Sequence, residues 1–208
     1  VDAICQVVRD FHSGDIVHVD GKIDPNSDIE TINLELIFAD QEALTKRIER
    51  LQSNLKGAKP AEMKEDRFEL ATLEKIKPLL EGGTLINKID LDEEERAAIK
   101  AMNFLTAKPF IYVVNVDETE TTKPIAIEKL QGEVAVPICA KLEADLTELT
   151  DEEVKEYLAD AGITMTGLDR IILEAYKALN LDTYFTSGPK ETRAWTITKG
   201  TAAPQAAG

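Results

Sequence analysis

Only two cysteines occur in 208 residues. Cys5 and Cys139 each sit in an apolar, strand-like run and offer no disulfide framework, so reduced thiols in a cytoplasmic protein are expected. No stretch approaches the roughly 18 consecutive apolar residues that a bilayer-spanning helix needs, and no charged-then-apolar leader opens the chain. Positive charge is scarce: 24 Lys and Arg against 39 Asp and Glu leave a formal charge of −15. That balance repels phosphate backbones, so nucleic-acid binding would need a local basic patch against the average. Lys46, Arg47, Arg50 and Lys56 form one modest basic group. Metal-ligand Cys/His spacing, G-x-S-x-G and C-x-x-C are all missing. So is the phosphate-binding loop G-x-x-x-x-G-K-[ST], and without it nothing in these residues cradles a triphosphate. Gly21-Lys22 has no glycine at the right spacing upstream and no Ser or Thr after it.

What is present is an ordinary globular pattern, 43% hydrophobic. Residues 4–8 and 16–19 are short Val/Ile-rich runs separated by His12-Ser13-Gly14-Asp15, a turn. After the loop 24–28, in which Ser27 or Asp28 is a good N-cap, apolar residues recur at three- and four-residue spacing from Ile29 to Leu55. A second periodic run, Phe68 to Leu80, closes at Gly82-Gly83. The two predict an antiparallel helical hairpin of short coiled-coil character. A third helix is expected from about Asp92 to Phe104, then strands at 110–114 and 134–139 with a helical or loop stretch between them. Helices at 150–162 and 167–180 follow, and 184–198 alternates in strand fashion around Gly188-Pro189. This order predicts a parallel α/β domain interrupted by a helical insertion.

The chemistry-bearing stretch is "PFIYVVNVDE". Five apolar residues, Phe110 to Val114, read as a buried strand that delivers Asn115-Val116-Asp117-Glu118 at its end, where parallel sheets keep their ligands. An Asn amide donates and accepts, so it can join a purine edge to the backbone of a neighbouring loop, and an acid three residues on can accept from ring or exocyclic N–H groups. A solvated polar turn is the alternative. "VPICAKLEAD" ends a second strand in small residues that allow backbone amides to approach a flat ring; alternatively Glu143 and Asp145 only charge the start of a helix. His18 alternates with apolar neighbours, as a half-buried strand residue would, or else orients water beside a γ-phosphate.

"DIVHVDGKIDPNSDIETINLEL", "NVDE" after "FIYV", "VPICAKLEADLTEL", "GLDRIILEAYKALNLDTYFTSGPKETRAWTI" and "GTAAPQAAG" together resemble the YchF / Obg-like ATPase family of P-loop proteins over essentially the whole chain. The resemblance implies an incomplete G-domain (1–26 and 88–181), a helical-hairpin insertion (27–87) and the start of a β-grasp TGS domain (182–208). It makes Asn115, Val116 and Glu118 part of the family's N-x-x-E base motif. Cys139, Ala140 and Lys141 become its second base-contacting loop, with cysteine where many relatives have serine. His18 becomes the catalytic, water-orienting group. The resemblance also implies a preference for ATP over GTP, with which the altered motif is compatible because adenine lacks guanine's N2 amine. The phosphate loop, the Mg²⁺-binding residues and the D-x-x-G switch would lie upstream of Val1. A start at Val1 without an initiator Met and an end at Gly208 likewise read as a fragment, itself inactive and without a tightly bound cofactor. ATP (or GTP) and Mg²⁺ would belong to an intact protein associated with the ribosome, translation and stress regulation, with RNA contact through the hairpin or TGS part. The competing expectation is a non-enzymatic module whose hairpin binds a protein or RNA.

Overall fold

The computed structural model describes residues 1–11, 23–56, 63–189 and 191–206. Contacts divide the chain into two compact units, Ser27–Pro109 and Val1–Asn26 with Phe110–Gly208. The helical unit therefore runs to Pro109, beyond residue 87 where the hairpin pattern stops.

In the helical unit, α1 (Pro25–Leu55) and α2 (Lys64–Glu81) bury one stripe each. Ile37, Leu44, Ile48 and Leu51 on α1 and Leu73, Ile76 and Leu80 on α2 are nearly solvent-free, at the three- and four-residue spacing of a helix face. Each such side chain contributes about 1.5–3 kcal/mol by leaving water. Gln41 Nε2 donates to the Leu80 carbonyl and Arg47 grips Glu69 with two bonds, at 2.7 and 2.6 Å, so partners run backwards along α2 as in an antiparallel hairpin. α1 starts earlier than the Ser27/Asp28 expectation: Pro25 takes its first position, where a missing N–H costs nothing, and Asp24 Oδ1 accepts from the Asn26 amide.

Asp40 breaks the apolar stripe of α1. Its carboxylate, 3% exposed, accepts from the backbone amides of Leu105 and Thr106 (2.8 and 2.7 Å) and from Thr106 Oγ1 (2.7 Å). Thr106 Oγ1 also accepts from the Ile86 amide at 3.3 Å. One buried acid thus ties α1 to the loops that follow α2. The third helix, α3 (Glu93–Ile99), has a full capping box between Asp92 and Glu95. It is shorter than expected: a 3₁₀ turn over Lys100–Met102 tightens its end, and Asn103 at φ 52° stops it before Phe104.

In the other unit, β1 (Ile4–Asp10), β2 (Phe110–Val116) and β3 (Ala135–Ile138) form a parallel sheet in that spatial order. β2 is central and buried at every position except half-buried Asn115, which explains its continuous apolar run. Short 3₁₀ turns at Glu118–Glu120 and Glu128–Leu130 occupy the stretch between β2 and β3. α4 (Ala140–Leu146), α5 (Asp151–Asp160) and α6 (Gly167–Ala178) follow, and α6 packs on β2 and β3. Finally β4 (Leu181–Ser187) and β5 (Thr192–Thr198) pair antiparallel, the hairpin that the alternation predicted.

Candidate nucleotide-base site

Parallel strands bring their carboxyl ends to one edge, and the register sets which residues meet there. Asn115 lies beside Ile138 of β3 on one side and Arg9 of β1 on the other. One residue past β3, Cys139 leads into α4 in an extended conformation and gives the helix no side-chain cap. The exposed first amide of a helix needs an acceptor. Asn115 supplies it: its Oδ1 accepts from the Ala140 N–H at 3.0 Å. The strand end of β2 is thereby joined to the loop after β3 by an amide whose Nδ2 has no hydrogen-bond partner among the described residues. This is the loop side of the purine-to-loop bridge considered from the sequence.

Glu118, exposed at the start of the 3₁₀ turn after β2, sits in a fixed frame. Its carbonyl accepts from Thr121 Oγ1 at 2.9 Å, and the Thr121 carbonyl accepts from Arg170 Nη1 at 3.4 Å. Arg170 also donates from Nη2 to the Pro137 carbonyl at 2.8 Å, so one guanidinium from α6 ties the turn after β2 to β3. On the side chain of Glu118, Oε1 accepts from the Tyr157 hydroxyl at 2.6 Å. That bond to a carboxylate pushes the Tyr157 phenol above its ordinary value, as loss of its proton would place two anions together.

The remaining residues named from sequence take different places. Val116 is buried in the core. Cys139 is 8% exposed, in an apolar cluster with Leu142 and Leu146 that Val154, Tyr157 and Leu158 complete. Ala140 and Lys141 are exposed at the start of α4. His18, like the strand expected at 16–19, lies outside the described residues. Glu143 does more than charge its helix: its carboxylate accepts from the amides of Gly167 (2.7 Å) and Leu168 (3.2 Å), docking α4 onto the start of α6. Glycine is needed there because a Cβ would lie 2.6 Å from both Glu143 Oε1 and Ile138 Cγ2. Sequence reasoning missed Tyr157, Gly167 and Arg170. Tyr157 stands 39 residues from its partner, on an acidic helix whose pattern gives no sign of it.

An amide and a carboxylate at one sheet edge can meet the donors and acceptors of a flat heterocycle. Among the described residues no group of three or more His, Cys, Asp or Glu side chains is arranged to hold a metal ion. No helix among them is long and apolar enough to cross a membrane. The basic group on α1 is partly neutralised, Lys46 by Glu42 and Arg47 by Glu69.

Residues 181–208 match the family described as YchF-GTPase_C, protein of unknown function (DUF933). The chain is 49% identical over 214 residues to a protein of Haemophilus influenzae named ribosome-binding ATPase YchF, covering 99% of this chain and 57% of that protein. It is 40% identical over 220 residues to Obg-like ATPase 1 of Schizosaccharomyces pombe, covering all of this chain and 56% of that one. The solved structure of the Schizosaccharomyces pombe YchF GTPase superposes with a TM-score of 0.84 at 38% identity, over 100% of this chain and 58% of the other. The chain thus spans somewhat more than half the length of the relatives it matches.

Proposed function

From this chain's homology along its whole length to the YchF / Obg-like ATPase family, we propose that it forms the base-recognition part of a ribosome-associated, nucleotide-binding ATPase. The observation that carries the reading is the 3.0 Å bond from the Ala140 amide to Asn115 Oδ1. It fixes two successive strand ends as one surface and leaves Nδ2 of Asn115 to donate to a ring nitrogen. Glu118 accepts from an exocyclic amine, while Val116, Cys139 and Ala140 line the edge with backbone and Lys141 flanks it. ATP is preferred to GTP, and the nucleotide brings Mg²⁺ with its phosphates. His18 orients the attacking water.

Without a G-x-x-x-x-G-K-[ST] loop, these residues alone bind nucleotide weakly and do not hydrolyse it. The resemblance sets G-domain parts at 1–26 and 88–181, the hairpin at 27–87 and the opening of a TGS domain from 182, whereas contacts group 88–109 with the hairpin. The partner is the ribosome or its translation factors in the cytoplasm, with a role in stress regulation. Pairing of Lys46 and Arg47 with acids weakens the competing reading of the hairpin as an RNA-binding module.

The test uses a protein that carries these residues together with a phosphate-binding loop. Asn115→Ala should weaken ATP binding about tenfold, the cost of one or two hydrogen bonds at the base, and should remove any effect of ATP on co-sedimentation with ribosomes. Unchanged ATP affinity would sink the base-site assignment; ribosome binding indifferent to ATP would sink the coupling.

A further inference from the structure

Tyr157 is held on both sides of its contact with Glu118. Its ring packs on the Cys139–Leu142–Leu146 cluster beside Val154 and Leu158. Its helix, α5, is anchored by a capping box in which Thr150 and Glu153 bond reciprocally. The phenol oxygen is therefore placed by packing, and the backbone of Glu118 by the Thr121 bonds. Between them lies the 2.6 Å bond to Oε1, the length expected of a hydroxyl on a carboxylate. Oε2 has no hydrogen-bond partner among the described residues.

A carboxylate with both oxygens open matches guanine well. The N1–H and N2–H₂ donors lie side by side on that base, and two parallel bonds form as they do with a guanidinium fork. Adenine offers a single amine, N6–H₂, next to an acceptor, and asks for one oxygen only. We propose that Tyr157 is a positioning residue for base selection: by engaging Oε1 of Glu118 it weakens the two-oxygen reading of guanine and leaves Oε2 for the amine of adenine. This deepens the base-site reading above and rests on it. An engaged oxygen keeps a second lone pair, so the effect is a bias between bases and not an exclusion.

Dissociation constants for ATP and GTP on the 208-residue chain, read from the amide shifts of Glu118 and Ala140, test this. Tyr157→Phe keeps the ring in its apolar cluster and removes only the hydroxyl. It should move the ratio of the two constants about tenfold toward GTP, equivalent to about 1.4 kcal/mol. In a Glu118→Gln background the same change should leave the ratio where it was, since the route through the carboxylate is gone. Binding of both nucleotides with a ratio unmoved by Tyr157→Phe overturns the proposal, and so does a shift that persists with Glu118→Gln. Equal weakening of both nucleotides shows a structural role and also overturns it. If neither nucleotide moves those amides in the unaltered chain, the base-site reading itself fails and takes this one with it.

Discussion

Replacing Gly167 with alanine sets two effects of opposite sign against each other. Gly167 is the first residue of α6, and its backbone needs no positive φ, so helix propensity alone favours alanine by roughly 0.5–1 kcal/mol. Against this, the new Cβ would sit 2.6 Å from Glu143 Oε1 and from Ile138 Cγ2, well inside contact distance. The Glu143 carboxylate can swing away only by giving up its bonds from the Gly167 and Leu168 amides. Losing a hydrogen bond to a charged acceptor costs about 1.5–3 kcal/mol, and strain at Ile138 adds about 1–3 kcal/mol. The clash should win, leaving the chain about 1.5–5.5 kcal/mol less stable, a large share of the ~5–15 kcal/mol typical of a domain. Urea unfolding of Gly167→Ala against the unaltered chain measures it. Adding Glu143→Ala should recover part of the loss, because one of the two collisions disappears. If Gly167→Ala is as stable as the parent or more so, the close approach of α4, β3 and α6 described above is wrong.

Asp40→Ala strips the acceptor from three donors, two of them on fully buried Thr106, and should cost about 3–5 kcal/mol in urea unfolding; a change under about 0.5 kcal/mol, the range of an ordinary surface substitution, would show the staple to be idle. Tyr157 makes a pH prediction with a definite sign. A phenol raised in the folded state contributes its stability fully below the ordinary tyrosine value of 10.0 and loses it as pH rises through the raised value. Tyrosinate absorbance should therefore show a late-titrating component that Glu118→Gln returns toward the ordinary value. A normal titration for Tyr157 would mean that the hydrogen bond is not formed in solution.

The sequence was most legible where one periodicity ruled. The continuous apolar run of β2 announced a central strand, and the stripes of α1 and α2 announced a packed pair, since burial selects residues at the repeat of the element. Asn115 was legible as a candidate because its amide both donates and accepts, and its bond from the Ala140 amide is the loop contact that this allowed. Asp40 was not, because a lone acid within an amphipathic pattern looks like a solvent-facing residue until its distant donors are known. Tyr157 is the same case at the site: its ring reads as one more apolar position of α5, and only the fold brings its hydroxyl to Glu118. The start of α1 and the end of α3 moved because Pro25 and Asn103 act through backbone geometry, which periodicity does not register.

The edge formed by β2 and β3 is proposed to read a nucleotide base. Backbone amide shifts of the 208-residue chain, followed during titration with millimolar ATP, test it most directly. Perturbation should concentrate at Asn115, Glu118, Ala140 and Lys141, and should be lost in Asn115→Ala with the rest of the spectrum intact. Perturbation centred elsewhere, or unaffected by Asn115→Ala, would contradict it.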